Sequence, residues 1–184
     1  YDLTDPQAAR SLAGFRVRTL PQAREHAERM NGSGARYPWM VSFDGSEQCE
    51  SWDIGCSEVH ATADVAYALG QYLDWSGDDD LFFQGGAQAL VETARFWVSR
   101  YSPAPEPGKA NLLFCKGPDE YCGITSNNLF TNAMVQHNLS LACSAAERLK
   151  REAPEQYAAM GLSKEELAGW KSLRNAIQLP RDPD

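Results

Sequence analysis

The chain has 184 residues, 43% of them hydrophobic and 23% charged, with a formal net charge of −8. That length carries one domain with its own core, and the acidic balance, without any Lys/Arg run, excludes an electrostatic footprint for nucleic acid. No apolar run approaches the roughly 20 residues that cross a bilayer. The opening YDLTDPQAAR lacks the charged and apolar regions of a secretory signal, and no Met begins it, so the expectation is a cytoplasmic protein and an excised piece of it.

In chain order, DPQAARSLAGFRVRTLPQAREHAERMNG has Asp5 as a cap before Pro6 and Gly32 as a stop. Pro21 should kink or restart that helix, because it removes a backbone donor. Residues 33–57 show no sustained period yet carry Tyr37, Trp39, Phe43 and Trp52. Long ordered loops tend to be functional. A helix follows over 58–76, with Ser57 as its cap and an apolar stripe through Val59, Ala63, Ala66, Leu69 and Leu73. Gly77–Asp78 is a short stop, and a second helix over 79–101 starts with acids, as the helix dipole prefers. So short a connection predicts an antiparallel pair.

Pro103, Pro105 and Pro107 then break the pattern, and NLLFCKGPDEY reads as an extended run and a turn. A long amphipathic helix over 127–150 follows, and Ser163 with Glu166 forms a capping box for the last helix. No sheet and no strict repeat stand out. The expected class is all-α, an array of helical hairpins or an α/α toroid with elaborate loops.

Five cysteines, at 49, 56, 115, 122 and 143, are odd in number and wider in spacing than usual zinc pairs, so reduced thiols and no metal are expected. The N-x-S triplets at Asn31 and Asn138 carry little weight.

The chemistry gathers around KGPDEYCGITSNN, residues 116–128. Acids at a Pro turn usually face solvent, paired Asn before a helix usually cap it, and His60 with Asp64, four apart on a helix, usually share a hydrogen bond. The combination is less ordinary. Carboxylates and amides grip sugar hydroxyls, and aromatic rings cover the apolar face of a pyranose. Trp39, Glu47, Trp52, Asp53, Glu58, His60, Tyr121 and Asn127 are the candidate substrate-binding residues, with Tyr37 as a further ring, and Glu120 is the candidate catalytic acid. Cleaving a glycosidic bond needs a carboxylic acid to protonate the leaving oxygen.

GARYPW, DGSEQCESWDIGCSEVHATADVAYAL, ETARFWVSRY and GPDEY…NN…TNAM closely resemble glycoside hydrolase family 65, from about residue 10 to 175. The resemblance implies part of an (α/α)6 barrel, so that 1–184 would be the central segment of one catalytic domain, about three of its six hairpins. It implies inverting phosphorolysis of an α-glucosyl disaccharide, with Glu120 as general acid, inorganic phosphate as nucleophile and co-substrate, β-glucose 1-phosphate as product and no other cofactor. It also implies a homodimer of the full-length enzyme, and donor-glucose and phosphate sites outside this segment. Maltose phosphorylases of the family have His after GPDEY where this chain has Cys122, which argues against maltose.

An inverting hydrolase is the second reading. It needs a base about 6.5–9.5 Å from the acid, and Asp53 or Glu58 would be taken for it. The third is a non-catalytic helical fragment that needs a partner.

Overall fold

Helical periodicity in this chain becomes helices gathered around one long one, in a computed structural model that describes residues 4–49 and 51–180. The side chain of Trp52 is outside the described set. Helix α1 (Pro6–Arg18) is capped by Asp5, whose carboxylate accepts from Ala8 N–H, and α2 (Leu20–Arg29) restarts after a break at Thr19, with Pro21 in its first turn. The restart is what a proline without N–H dictates.

The segment 33–57 is not loop throughout. Its last residues form α3 (Trp52–Ser57), and α4 (Ala61–Ser76) begins only after Glu58, Val59 and His60 have turned the chain. Ser57 is therefore no cap for α4; its hydroxyl bonds back to the Asp53 carbonyl within α3. Gly77 ends α4 in the left-handed conformation that glycine adopts without strain (φ 61°).

The second predicted helix is also interrupted. A single turn, α5 (Asp79–Leu81), runs into a kinked turn at Phe82–Gly86 before α6 (Ala87–Arg100). Gly85 has φ 136°, and a Cβ on Gly86 would lie 2.9 Å from the Leu81 carbonyl. The Gly-Gly pair permits the bend, and the predicted continuous helix is split there.

Two short strands, β1 (Ser102–Pro103) and β2 (Ala110–Asn111), pair antiparallel. Helix α7 (Leu129–Glu152) starts at Asn128, whose side-chain oxygen accepts from Thr131 N–H at 3.0 Å. Helix α8 (Pro154–Ala159) and helix α9 (Lys164–Ala176) complete the described part, and Ser163 caps α9 through Glu166 N–H. The Glu166 carboxylate leaves the capping box and pairs with Arg95 instead (2.7 Å).

Helix α7 is the central post, packing on α4, α6, α8 and α9. One apolar cluster joins Ala13, Leu69, Tyr72, Phe82 and Leu149. Another joins Val91, Trp97, Leu112, Leu139 and Trp170. Three buried polar side chains in the second cluster pair with one another: Trp97 Nε1 donates to Asn138 Oδ1 (2.9 Å), and Asn138 Nδ2 donates to Thr93 Oγ1 (3.0 Å). Asn138 is fully buried, so its triplet is no glycan acceptor. Among the described residues no helix is long and apolar enough to cross a membrane.

Candidate active site

Residues 112–128 form a loop cinched at its base. Cys115 and Thr125 exchange backbone hydrogen bonds of 2.9 and 2.8 Å. Asn127 donates its N–H to the Leu112 carbonyl (2.8 Å), and its side-chain oxygen accepts from Leu112 N–H (2.9 Å). Its amide nitrogen donates to Asn111 Oδ1. Asn127 has φ 55°, a region that Asn tolerates well. Expected as a sugar grip, Asn127 has both side-chain polar atoms committed to the loop.

The loop is tied to its surroundings at three points. Lys116 N–H donates to the Ser57 carbonyl (3.0 Å) at the end of α3. Gly117 packs on the Asn128 carboxamide so closely that a Cβ would lie 2.3 Å from Nδ2. Arg100, at the end of α6, donates to the carbonyls of Leu113 and Phe114. A second arginine, the buried Arg36, donates to the carbonyls of Gly55 and Cys56 and so holds α3. Sequence reasoning missed both arginines as loop clamps. The available signal was Arg in otherwise apolar context, in GARYPW and FWVSRY.

At the tip the two acids part company. Asp119 Oδ1 accepts from Tyr121 N–H (3.1 Å), its carbonyl from Cys122 N–H, and its Oδ2 from the Cys122 thiol (3.3 Å). Asp119 thus builds the turn. The Glu120 side chain is exposed and takes part in no hydrogen bond among the described residues. Tyr121 stands fully in solvent.

Trp39 is half-buried, and its ring lies 5.3 Å from that of His60, edge to face. Phe130 covers His60 from the start of α7, at 5.8 Å. The expected His60–Asp64 bond is present, Nδ1 to Oδ2 at 2.6 Å. Glu58 is completely buried, with its Oε2 3.2 Å from His60 Nε2. That contact is not aligned as a hydrogen bond, and neither carboxylate oxygen has another partner among the described residues. Burial pushes the Glu58 pKa up, His60 and Lys116 oppose that, and the charge of Glu120 adds to it. A residue expected to touch substrate, Glu58, presents no surface to one here; it lies underneath.

Glu47 accepts backbone N–H bonds from Trp39 (2.7 Å), Met40 (2.9 Å) and Cys49 (3.0 Å), and organises the aromatic loop. Asp53 is part-exposed, and a hydrogen bond from Ser51 (2.7 Å) lowers its pKa. It lines a cavity of about 350 Å3 with Arg36, Ser57, Arg100, Phe114 and Ile124. Tyr37 is core, its hydroxyl donating to the Arg16 carbonyl (2.7 Å). The side chain of Trp52 lies outside the described residues. No group of three metal-ligating side chains gathers among the described residues.

Helices in this packing order, with a carboxylate offered on a clamped loop, define an all-α part of an (α/α)6 barrel. The family model for the glycosyl hydrolase family 65 central catalytic domain matches residues 1–184, and the chain belongs to that family. It is 35% identical over 182 residues to an alpha,alpha-trehalose phosphorylase of Thermoanaerobacter brockii, covering 96% of this chain and 23% of the relative. It is 33% identical over 194 residues to a kojibiose phosphorylase of Caldanaerobacter subterraneus, covering 97% and 25%. A solved structure from the human microbiome, provisionally named a kojibiose phosphorylase, superposes with a TM-score of 0.83 at 25% identity, over 93% of this chain and 25% of that one. The chain thus spans about a quarter of the length of these relatives.

Proposed function

We propose that this chain is the acid-bearing segment of an inverting disaccharide phosphorylase. Glu120 gives its proton to the glycosidic oxygen as the C1–O bond breaks. A phosphate oxygen attacks C1 from the opposite face, the sugar acceptor leaves with the proton, and β-glucose 1-phosphate remains. Inorganic phosphate is the co-substrate, and the chemistry needs no other cofactor.

The observation that carries this reading is the contrast on one loop. Asp119, Asn127 and Asn128 spend their polar atoms on building it, while Glu120 keeps its carboxyl uncommitted. A general acid needs that freedom. Trp39 and Tyr121 supply rings for the sugar faces, and Asp53 and the cavity beside it lie on the same loop cluster. The names of the relatives favour phosphorolysis over hydrolysis. Were water the nucleophile, Asp53 would be the candidate base within these residues, because Glu58 has no surface to offer.

The test uses the intact protein. Omitting phosphate should abolish turnover of the disaccharide. Glu120→Gln keeps the shape but cannot deliver a proton, so disaccharide cleavage should fall by roughly 10²–10⁴-fold. A glucosyl fluoride of the accepted anomer needs little proton assistance, and its turnover should fall much less. Equal losses on both substrates, with the fold intact, would show that Glu120 is not the acid.

A further inference from the structure

Gly117 is the last buried residue before the acid; Pro118, Asp119 and Glu120 are exposed. It does not take the left-handed backbone that favours glycine, so what glycine supplies there is space. The Asn128 carboxamide occupies that space. A Cβ at 117 would lie 2.7 Å from Asn128 Cγ, 2.9 Å from Oδ1 and closer still to Nδ2. The carboxamide is not free to swing aside. Its Oδ1 accepts from Thr131 N–H (3.0 Å) and from Thr131 Oγ1 (3.2 Å), and so caps α7. Helix α7 is in turn held by α4, α6, α8 and α9. The stretch from this seat to the acid is short and stiff. Pro118 fixes one φ. The Asp119 carboxylate accepts from Tyr121 N–H (3.1 Å) and its carbonyl from Cys122 N–H (3.2 Å), which shapes the rest.

Resting on the reading of Glu120 as the acid, we propose that Asn128 is a positioning residue for it: one carboxamide both caps α7 and seats Gly117, and so fixes the acid loop to the start of the central helix. Main-chain bonds also tie the loop, between Cys115 and Thr125 and from Lys116 to Ser57. Arg100 acts further back, at the carbonyls of Leu113 and Phe114. Asn128 meets the loop beyond these ties, at the residue from which the chain runs out to Glu120.

Such a seat can be overfilled, emptied and refilled. In the intact enzyme, Gly117→Ala puts a methyl where the carboxamide stands. Restoring ordinary contact at 3.4 Å moves the loop by about 1 Å, and a displacement of that size costs on the order of 10²-fold in kcat for the disaccharide. Turnover of the glucosyl fluoride, which needs little proton assistance, should fall much less. Asn128→Gly empties the seat, and glycine caps a helix almost as well as Asn. The same selective loss should therefore appear with the melting temperature nearly kept. Gly117→Ala combined with Asn128→Gly refills the seat. The double variant should recover about tenfold or more of the disaccharide turnover that Gly117→Ala loses, since contacting residues couple. Should Gly117→Ala not fold, Asn128→Gly carries the test alone, because it creates no overlap. A lower melting temperature with unchanged disaccharide turnover in Gly117→Ala would mean that the cap yields and the loop stays, and would overturn the proposal. So would equal losses on both substrates in either single variant, or a double variant no better than Gly117→Ala. Equal losses on both substrates in Glu120→Gln would instead remove the reading on which it rests.

Discussion

Asp119 and Glu120 share a functional group and a place in the sequence, and only hydrogen bonding separates them. Asp119 is short enough to reach the backbone N–H of Tyr121, two residues on, which is what Asp does in tight turns. Glu120 has one more methylene and keeps its carboxyl clear of the chain. The consequence is a divided response to mutation. Asp119→Asn retains an acceptor for Tyr121 N–H and should retain most activity. Asp119→Ala opens the turn and misplaces Glu120, and a displacement of about 1 Å costs on the order of 10²-fold in kcat. The melting temperature should hardly change, since the turn is exposed. A large loss of stability in Asp119→Ala would mean that the turn supports the core and not the acid. The acidic pair was legible in the sequence as a candidate site. Its division of labour was not, because it depends on which oxygen meets which N–H in space. Glu47 makes the same point: its residue type suits a sugar grip, but the loop amides of Trp39, Met40 and Cys49 occupy it.

At the scale of elements, periodicity and caps located the helices well. Asp5, Asn128 and Ser163 each cap a helix in the structure through a side-chain oxygen. Failures fall where tertiary contacts override local pattern. Residues 52–57 coil into α3, held by Arg36 through carbonyls that no sequence pattern announces. The helix predicted over 79–101 bends at Gly85–Gly86 to pack against α1, where a Cβ on Gly85 would lie 2.6 Å from Val17. Helix α2 carries a titratable consequence of the same packing. Burial, aided by the positive charge of Arg36, depresses His26 from its ordinary value near 6.5 to about 4. The unfolded chain therefore binds a proton between those values that the folded chain does not, and stability present above pH 6.5 is lost as pH falls toward 4. His26 is partly exposed, so solvent screening limits the loss to about 1–2 kcal/mol. Urea midpoints of the intact protein at pH 7 and pH 4.5 should converge in His26→Gln relative to wild type. An identical pH slope in the two would show that His26 is not depressed.

At the scale of the whole molecule, the described residues leave more large apolar side chains open than their own helices cover. Tyr67 and Trp75 lie eight residues apart on α4, on one face, 40% and 52% exposed. Leu12 on α1 and Leu129 and Phe130 on α7 are also open, and Phe43 and Phe114 stand out from the loops at 94% and 73%. Scattered apolar residues are normal on a surface, but large ones aligned along a helix mark a face that something covers. In an (α/α)6 barrel the neighbouring hairpins would be the cover. Expressed alone, this segment should therefore associate, with light scattering rising reversibly over micromolar concentrations and a broad, weakly cooperative melt. Trp75→Arg should reduce that association, because it places a charge at the C-terminal end of the α4 face without touching the buried contacts of Leu69 and Tyr72. In the intact protein the same substitution should act in the opposite sense and lower the melting temperature, since a charge would then be buried between hairpins without a partner. The pairing of outcomes is what identifies the face: a substitution that leaves the segment's association and the intact protein's melting temperature both unchanged would mean that α4 faces solvent in the barrel. A monomeric segment with a sharp, high-temperature melt would mean that these helices need no further neighbours at all.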